Sequence, residues 1–394
     1  MIIHLDADAF FASVEQAACA RLRGKAVAVG GMKRGIIASA SYEARRYGVH
    51  TPMPTSQALR LCPHLVLLPG DFEKYETFSR FMFSYFYDFS PEVEIASIDE
   101  GYCDVTGQKR WRAEEAADRV RRAIGQSLKL SVSEGVASNK LVSQIASKLR
   151  KPHGFVLVGP GHEREFLAPL EVEHLPGVGP KLRIVFHRAG LQTIGQVAAL
   201  PAARLHAVAG GLADTLAEFA RGIDRRPVRT TSEPAKSYGA QQTFAEDTCD
   251  SPSVRDTLRC LADDLLETLR QEDAAARTVS VKIRYTDMDE AERSESLDEP
   301  SRLPEDFYGL IDRLLAKAWD RRVRLRMVRL RFSSIYRGWP VRDLLYALEG
   351  RDRRERLQAV VAEVQGRYGP RALMRGHRWR QQARPANDNQ DRLL

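Results

Sequence analysis

The first 160 residues alternate short apolar runs with stretches of helical periodicity. The apolar run at residues 2–5 ends at acidic residues, and residues 25–29, 35–40 and 130–137 are further predicted strands. Helices are predicted at residues 71–89, 114–129 and 139–149, and a hairpin at residues 92–105 holds Asp99 and Glu100 in its turn region. This alternation of strands and helices predicts an α/β or α+β fold.

The pattern changes twice along the rest of the chain. Residues 171–226 are helical and punctuated by glycine, and residues 227–236 are polar, contain two prolines and are predicted to be a linker. A second α/β unit follows, with strands at 237–244, 278–285 and 323–333 and helices at 254–272 and 304–319. We expect another helix at 351–368 and a disordered tail at 381–390. A chain of 394 residues is too long for a single core, so several domains are expected.

Composition narrows the class of protein. The chain is 43% hydrophobic and no stretch approaches the roughly 20 apolar residues of a membrane helix, which excludes a membrane protein. The N-terminus lacks the features of a secretory signal, so we expect an intracellular, cytoplasmic protein. The five cysteines form no CxxC pair, and we interpret them as small buried hydrophobic residues.

Positive charge is concentrated at the C-terminal end. Residues 321–394 contain 19 arginines and 7 acidic residues, a net charge of +12, whereas residues 1–320 have a net charge of −4. An arginine-rich end indicates a surface that binds a polyanion such as nucleic acid. A solvated helix face is the competing interpretation.

Two pairs of acidic residues lie at the ends of apolar strands, Asp6 with Asp8 and Asp99 with Glu100. Carboxylates at strand ends are held by the sheet and remain accessible, and their hard oxygen atoms suit Mg²⁺. A solvated turn would be the ordinary interpretation of any one of these acids.

The motifs around these acids resemble those of the Y-family translesion DNA polymerases, in the bacterial DNA polymerase IV branch. The resemblance covers about residues 1–340 and rests on four motifs: His4-Leu5-Asp6-Ala7-Asp8-Ala9-Phe10-Phe11, Ser41-Tyr42-Glu43-Ala44-Arg45, Ser97-Ile98-Asp99-Glu100-Gly101-Tyr102 and Ala137-Ser138-Asn139-Lys140-Leu141.

The resemblance implies an α+β multidomain fold with the right-hand polymerase architecture. Palm and fingers would occupy residues 1–168, with the fingers at about 12–75, and a small helical thumb residues 169–228. After a linker at 229–236, a C-terminal α/β little-finger domain would occupy residues 237–340. A helical extension and disordered tail would form residues 341–394.

The resemblance also implies a low-fidelity, poorly processive DNA polymerase that copies damaged templates with two Mg²⁺ ions. Asp6, Asp99 and Glu100 would be the catalytic acids, and the backbone carbonyl of Ala7 would complete the metal ligands. In this interpretation Asp6 and Asp99 bridge both ions, which lie about 3.5–4 Å apart in such sites.

By family position, five residues would surround the incoming nucleotide. Tyr42 and Arg45, one helical step apart, would clamp the triphosphate together with Lys151. Phe11 would lie under the sugar as a steric gate against ribonucleotides. Phe10 would adjoin the same nucleotide site and is the more core-like ring of the two.

Two further regions are expected to hold DNA. Residues 174–181 form a helix-hairpin-helix turn in which Gly177 and Gly179 let backbone amides approach a phosphate, with Lys181 beside them. On the last predicted strand, Arg326, Arg329 and Arg331 are expected to face phosphates.

The last residues of the chain resemble a peptide that docks on a sliding clamp, with Gln390, Leu393 and Leu394 as anchors. Residues 342–346 are a second candidate. We expect a nucleoid-associated bacterial monomer whose partners are primer-template DNA, deoxynucleoside triphosphates and this clamp.

Two other functions compete with this one. A DNA-binding accessory protein with an inactive polymerase fold is disfavoured because Asp6, Asp99 and Glu100 are all present. A nucleotidyl cyclase would need neither the glycine hairpin nor the arginine-rich end. Glu134, Gly101 and Cys103 depart from the family pattern, and sequence alone supplies no reason for them.

Overall fold

The computed structural model describes residues 1–32, 34–231, 233–338, 348–369 and 371–383. The chain divides into two compact units. The first consists of Met1–Gly30, Ile36–Met53 and Gln57–Glu233, and the second of Gly31–Gly35, Pro54–Ser56 and Pro234–Leu394. Among the described residues, no helix is both long and apolar enough to cross a membrane.

The strands before residue 160 form a larger and a smaller sheet. They are β1 (Ile2–Ala7), β2 (Val27–Gly30), β3 (Ile36–Ala40), β4 (Met53–Pro54), β5 (Val66–Leu68), β6 (Val93–Ile95), β7 (Glu100–Asp104), β8 (Val132–Ala137) and β9 (Phe155–Leu157). The larger sheet has the order β6-β7-β1-β8-β9 and the smaller one β4-β3-β2-β5. The predicted hairpin and the predicted strands at 25–29, 35–40 and 130–137 are therefore confirmed close to their expected bounds.

The helices up to residue 220 pack on these sheets or on one another. They are α1 (Phe10–Ala18), α2 (Tyr42–Arg45), α3 (Thr55–Leu61), α4 (Phe72–Ser84), α5 (Ala113–Ser127), α6 (Lys140–Leu149), α7 (Glu163–Leu167), α8 (Pro180–Arg188), α9 (Ile194–Ala199), α10 (Ala202–Ala209) and α11 (Ala213–Ala220). The predicted helix at 71–89 is shorter than expected, because α4 ends at Ser84 and a 3₁₀ turn, Tyr85–Asp88, follows it.

Strand β1 is the central strand of the larger sheet, and all six of its residues are buried. It pairs antiparallel with both β7 and β8. Ile3, Leu5 and Ala7 point to one face, into a core shared with α4 and α5. By the period of two, His4 and Asp6 point to the other face, where α6 packs.

The second unit is a four-stranded antiparallel sheet with helices on one face. Its main elements are β10 (Ser237–Thr248), α12 (Ser251–Gln271), β11 (Ala274–Tyr285), β12 (Glu290–Ser301), α13 (Pro304–Ala318) and β13 (Leu325–Arg337), and the strand order is β10-β13-β11-β12. Strand β12 was not predicted. It is an edge strand rich in charged residues, so it lacks the apolar alternation that signals a strand.

Strand β13 contains a β-bulge that changes which residues face the helices. Arg284 pairs with Met327 but the next residue, Tyr285, pairs with Leu325, so Arg326 is an extra residue. Beyond the bulge, the even-numbered Val328, Leu330 and Phe332 enter the core. The odd-numbered Arg329 and Arg331 consequently lie on the opposite face and are exposed.

Two helices follow the second sheet, α14 (Leu348–Tyr368) and α15 (Gly376–Ala383). The predicted helix at 351–368 is confirmed. The predicted disorder at 381–390 is wrong for residues 381–383, which belong to α15 because Arg380 and neighbouring side chains bind acidic residues of α12. Residues 384–390 lie outside the described part of the chain.

The cysteines are all free thiols. Cys62, Cys103 and Cys260 are buried, as predicted, whereas Cys19 is partly exposed and Cys249 is exposed. The interpretation as small buried hydrophobic residues is therefore wrong for Cys249, which follows the exposed end of β10.

Candidate active site

The acidic residues of β1 and β7 lie side by side on the face that α6 covers. Asp6 is directly opposite Glu100 on one neighbouring strand and Ser133 on the other. Directly opposite residues of antiparallel strands project to the same side of the sheet. Glu100 and Ser133 therefore flank the Asp6 carboxyl.

Asp99 is held at the end of this row by its turn. Its backbone carbonyl accepts a hydrogen bond from Ala7 N at 2.9 Å. The Ser97 hydroxyl donates to Asp99 Oδ1 and accepts from the backbone amides of Asp99 and Glu100, at 3.2 and 3.1 Å. The turn thus attaches Asp99 to the end of β1, close enough to Asp6 for its charge to act on the Asp6 carboxyl.

Lysines balance the charge of this site. Lys151 Nζ donates to Asp6 Oδ1, and Lys148 Nζ lies 2.9 Å from Glu100 Oε2. Burial raises the pKa of Asp6 above its ordinary value, and the nearby Asp99 adds to the effect, while Lys151 opposes it. Sequence reasoning missed Lys148. Its only sequence signal was that it lies in the last turn of α6, three residues before Lys151.

The donor set suits a hard divalent cation in an open site. The described residues contain no group of three or more acidic, histidine or cysteine side chains that could enclose a metal by themselves. Mg²⁺ is commonly held by one or two carboxylates together with waters and substrate phosphates. Asp6, Asp99, Glu100 and the Ala7 carbonyl fit that kind of shared coordination.

His4 is buried in the sheet beside Glu100. Its Nδ1 lies 2.8 Å from the Ser147 hydroxyl on α6, and its Nε2 lies 3.8 Å from Glu100 Oε2. Burial lowers the pKa of His4 well below its ordinary value, so the ring is neutral at pH 7. Its Nε2 is buried without a hydrogen-bond partner in the described structure.

The two phenylalanines at the start of α1 differ in environment. Phe10 is 3% exposed and belongs to the core, which confirms it as the more core-like residue of the pair. Phe11 is partly exposed and stacks on Tyr75, with ring centroids 4.4 Å apart and planes at 18°. The Tyr75 hydroxyl donates to Glu15 at 2.8 Å, so the ring beneath Phe11 is fixed.

Tyr42 and Arg45 lie at the two ends of the short helix α2. The Ser41 hydroxyl caps this helix by accepting from Ala44 N at 3.3 Å. The Arg45 guanidinium lies 4.6 Å from the Tyr42 ring centroid, and Arg45 Nε donates to Ala40 O. Burial raises the pKa of Tyr42 to about 12, so its hydroxyl is a neutral donor, and it has no partner in the described structure.

Asp8 differs from what its spacing from Asp6 indicated. Its side chain is fully buried, and its two oxygens accept hydrogen bonds from protein groups only. The expectation that Asp8 shares a metal site with Asp6 is therefore wrong. The strand ends at Ala7, and Asp8 turns toward β8 rather than along the row of acids.

The three departures from the family pattern have different local explanations. Gly101 lies under Phe83, and an added Cβ would come within 2.7 Å of that ring, so only glycine fits. Cys103 packs in the core, and burial raises its pKa to about 12. Glu134 points into the same core, 3.7 Å from Arg121 Nε, and burial raises its pKa well above the ordinary value, although Arg121 opposes this.

The glycine hairpin joins a 3₁₀ turn, Val172–His174, to α8. Gly177 has a φ of 98°, a left-handed conformation that disfavours any side chain. Gly179 precedes the first residue of α8 and has open space around its missing side chain. Lys181 in the first turn is exposed. Two amides of the turn already have partners, because Val178 N donates to Leu175 O and Gly179 N donates to Gly177 O, at 3.0 and 3.2 Å.

The arginines of the C-terminal end fall into two groups. On β13, Arg329 and Arg331 are exposed, Arg326 is half-buried, and none of them forms an ion pair within the described residues. On the two neighbouring strands, Gln241 and Lys282 lie opposite Arg329, and Ser280 lies opposite Arg331.

The other group, in and before α15, is neutralised inside the second unit. The pairs are Arg375 with Asp263 and Glu305, Arg378 with Asp264, and Arg380 with Asp256, at 2.5–3.0 Å. The prediction of a polyanion surface over the whole C-terminal end is therefore wrong for these arginines, because acidic residues on α12 and an acid on α13 already bind them.

The predicted clamp-docking residues Gln390, Leu393 and Leu394 lie outside the described residues, as does the second candidate at 342–346.

Comparison with known proteins places this arrangement in a family. The model of the impB/mucB/samB family matches residues 5–148, and the model of the C-terminal domain of that family matches residues 235–343. A DNA polymerase IV from Opitutus terrae is 44% identical over 95% of this chain and 96% of its own length. A DNA polymerase IV from Halorhodospira halophila is 40% identical over 88% of this chain and 98% of its own length.

A solved structure agrees with these sequence matches. A Y-family DNA polymerase chimera of Dbh and Dpo4 superposes with a TM-score of 0.78 at 26% identity, covering 86% of this chain and 99% of the chimera. The acids of β1 and β7 thus occur in a chain that resembles such polymerases over nearly its whole length. This chain belongs to the impB/mucB/samB family of Y-family DNA polymerases, in the DNA polymerase IV branch.

Proposed function

We propose that this chain is a template-directed DNA polymerase that extends a primer across damaged DNA, with low fidelity and low processivity. The observation that carries the proposal is the pairing of Asp6 with Glu100 on one face of the larger sheet, with Asp99 attached to the end of β1 beside them. Family membership supports the same reaction and implies a requirement for a divalent metal.

The proposed domains follow from the described elements. Palm and fingers would be the two sheets and their helices within residues 1–168, and the thumb the helices of residues 169–228. After the linker at 229–236, the little finger would be the sheet of residues 237–340, with α14 and α15 in an extension at 341–394.

In the proposed reaction, two Mg²⁺ ions would neutralise charge on the attacking and leaving oxygens. Asp6 and Asp99 would bridge them, Glu100 would serve the primer side, and the Ala7 carbonyl the triphosphate side. Lys148 and Lys151 already pair with Glu100 and Asp6, so the charge of these two lysines partly balances that of the carboxyls. Lys151 would exchange its contact with Asp6 for a phosphate oxygen.

The nucleotide would be selected by shape and charge. The unpartnered Tyr42 hydroxyl and the exposed Arg45 guanidinium offer donors to the triphosphate. The Phe11 ring, backed by Tyr75, would occupy the space that a 2′-hydroxyl needs.

DNA would be bound through its phosphates by residues that take no part in the reaction. Gly177, Gly179 and Lys181 would bind phosphates of the duplex, and so would Arg326, Arg329 and Arg331 on the outer face of the second sheet. We further propose that the protein acts as a monomer in the bacterial cytoplasm, at the nucleoid.

Primer extension with Mg²⁺ tests the proposed function. The chain should add deoxynucleotides to an annealed primer in the order that the template dictates, including opposite an abasic site. A nucleotidyl cyclase would instead convert a nucleoside triphosphate without primer, and an inactive accessory protein would bind the primer-template without extending it.

The proposed clamp contact has its own test. Deleting residues 390–394 should leave distributive synthesis unchanged and remove stimulation by a loaded sliding clamp, since an apolar pair on a tether raises local concentration without altering the active site. Equal stimulation of both forms would transfer the proposal to residues 342–346.

A further inference from the structure

Asp8 is a buried carboxylate that the proposed chemistry does not use. Its Oδ2 accepts hydrogen bonds from the Ser131 hydroxyl at 2.6 Å and from His153 N at 2.8 Å, and its Oδ1 accepts from the Ser133 hydroxyl at 2.8 Å. The side chain is 0% exposed. A buried carboxylate that accepts three hydrogen bonds is part of the ordered interior rather than a solvated turn.

These bonds join three segments that are far apart in sequence. Asp8 comes directly after β1, the strand that carries Asp6. Ser131 precedes β8, and Ser133 lies on it. His153 belongs to the loop between α6 and β9. The Asp8 backbone contributes as well, because its carbonyl accepts from Ser13 of α1 at 2.5 Å and its amide donates to Ser131 O at 2.9 Å. The same residue thereby contacts the helix that carries Phe11.

The loop that Asp8 binds has an unfavourable backbone conformation of its own. His153 has a φ of 56°, in the left-handed region that is unfavourable for a residue other than glycine. The bond from His153 N to Asp8, and a contact of 3.1 Å between His153 Nε2 and Arg121 Nη1, hold this conformation. Gly154 N adds a bond to the Ser133 hydroxyl at 3.1 Å.

Lys151, two residues before His153, lies at the other end of this loop. Its Nζ binds Asp6 and lies 3.9 Å from Asp8 Oδ1. A lysine ammonium is a point charge at the end of a flexible side chain, so its position depends on where the backbone holds the Cα atom and on the charges nearby. Asp8 controls both, through the loop and through its own negative charge.

We propose that Asp8 is a positioning residue that holds the loop of residues 151–154 so that Lys151 meets the triphosphate of the incoming nucleotide. This inference rests on the proposed polymerase function. A carboxylate is required because three donors converge on its two oxygens. An asparagine would turn an amide donor toward at least one of them, and it would remove the charge beside Lys151.

Single-turnover incorporation on a primer-template tests the inference, with Asp8→Asn, Lys151→Ala and the double variant measured against the unaltered chain. We expect Asp8→Asn to raise the apparent Kd for the nucleotide about tenfold while DNA affinity stays unchanged. The double variant should resemble Lys151→Ala, because a misplaced lysine and an absent one both leave the same phosphate unpaired. Additive effects in the double variant would overturn the inference.

Asp224→Asn is the matched control. Asp224 is also an acid of the first unit with a buried side chain, but its bonds go to Leu141 N and to Arg226, away from the loop. It should lower stability without changing the apparent Kd. An equal change of Kd in both variants would mean that Asp8 is merely structural.

Ser131→Ala covers the case in which Asp8→Asn fails to fold, because it removes one donor and leaves the carboxylate. It should raise the apparent Kd by a smaller factor, and an unchanged Kd would count against the inference. If the unaltered chain itself incorporates no nucleotide, the proposed function fails. If it incorporates normally and these variants do too, only the role of Asp8 fails.

Discussion

Charge is organised in opposite ways in the two units of this protein. In the first unit, the acids at the ends of β1 and β7 are partly or fully buried, and Lys148 and Lys151 already balance Glu100 and Asp6. On the outer face of the second sheet, Arg329 and Arg331 are exposed and have no acidic partner among the described residues.

The functions that we propose for the two surfaces would account for this difference. Groups that act on charge developing in a reaction are effective only if they are fixed beforehand, so each is oriented by neighbours. Cations that bind DNA of any sequence need free positive charge more than fixed geometry, because their affinity comes from releasing counterions. We therefore expect substitutions in the first unit to alter chemistry and those on β13 to alter binding.

The largest expected effect is from Glu100→Ala. Removing this carboxylate should reduce the rate of incorporation about a thousandfold or more, because several kcal/mol of charge stabilisation are lost at about 1.4 kcal/mol per factor of ten. Single-turnover extension measures the rate, and a titration with labelled primer-template should give unchanged DNA affinity. Near-normal extension would remove Glu100 from the site.

Phe11→Ala should have the next largest effect, and a selective one. Removing the ring that stacks on Tyr75 should raise the efficiency of ribonucleotide relative to deoxynucleotide incorporation, on the order of tenfold or more. The ratio of the two efficiencies is the measurement. Phe10→Leu, in the core beside it, is the control and should leave the ratio unchanged while lowering stability.

A double substitution on β13, Arg329→Ala with Arg331→Ala, should act on binding alone. We expect DNA affinity to fall and the slope of log affinity against log salt concentration to become shallower by about 2, one for each phosphate that is no longer neutralised. The incorporation rate at saturating DNA should not change. An unaltered slope would show that this face does not touch DNA.

Arg380→Ala should have the smallest effect on function and sharpens the contrast between the two groups of arginines. Arg380 makes two hydrogen bonds to the buried Asp256, at 2.8 and 2.9 Å. Its removal should lower the free energy of unfolding of the second unit, measured by denaturant titration, because the buried Asp256 carboxylate loses this partner. DNA affinity and its salt slope should remain those of the unaltered chain, and a shallower slope would place Arg380 on the DNA-binding surface.

The sequence predicted more of the fold than of the residues that contact and orient the site residues. Strands such as β1 and helices such as α5 and α6 were predictable because their periodicity is local. Strand β12 was not, since an edge strand with charged side chains on both faces has no such periodicity. The bulge at Arg326 was also unpredictable, because it is defined by the register of β13 against two partner strands.

Among the site residues, those with a motif were found and those without one were missed. Asp6, Asp99 and Glu100 stand in motifs that resemble those of a known family, so the sequence alone indicated the family and the class of reaction. Tertiary structure decided which acids are accessible. Asp6 and Asp8 look equivalent in sequence, yet one lies beside Glu100 and the other is enclosed by Ser131, Ser133 and His153.

The same division applies to the arginines and lysines. The sequence determined how much positive charge the C-terminal end carries, because charge is a sum over residues. Only the tertiary structure decided that Arg375, Arg378 and Arg380 are neutralised and that Lys148 binds Glu100. It also decided that Arg329 and Arg331 have no acidic partner in the described part of the chain. Pairing depends on which groups the fold brings within a few ångströms, and those partners lie far away along the chain.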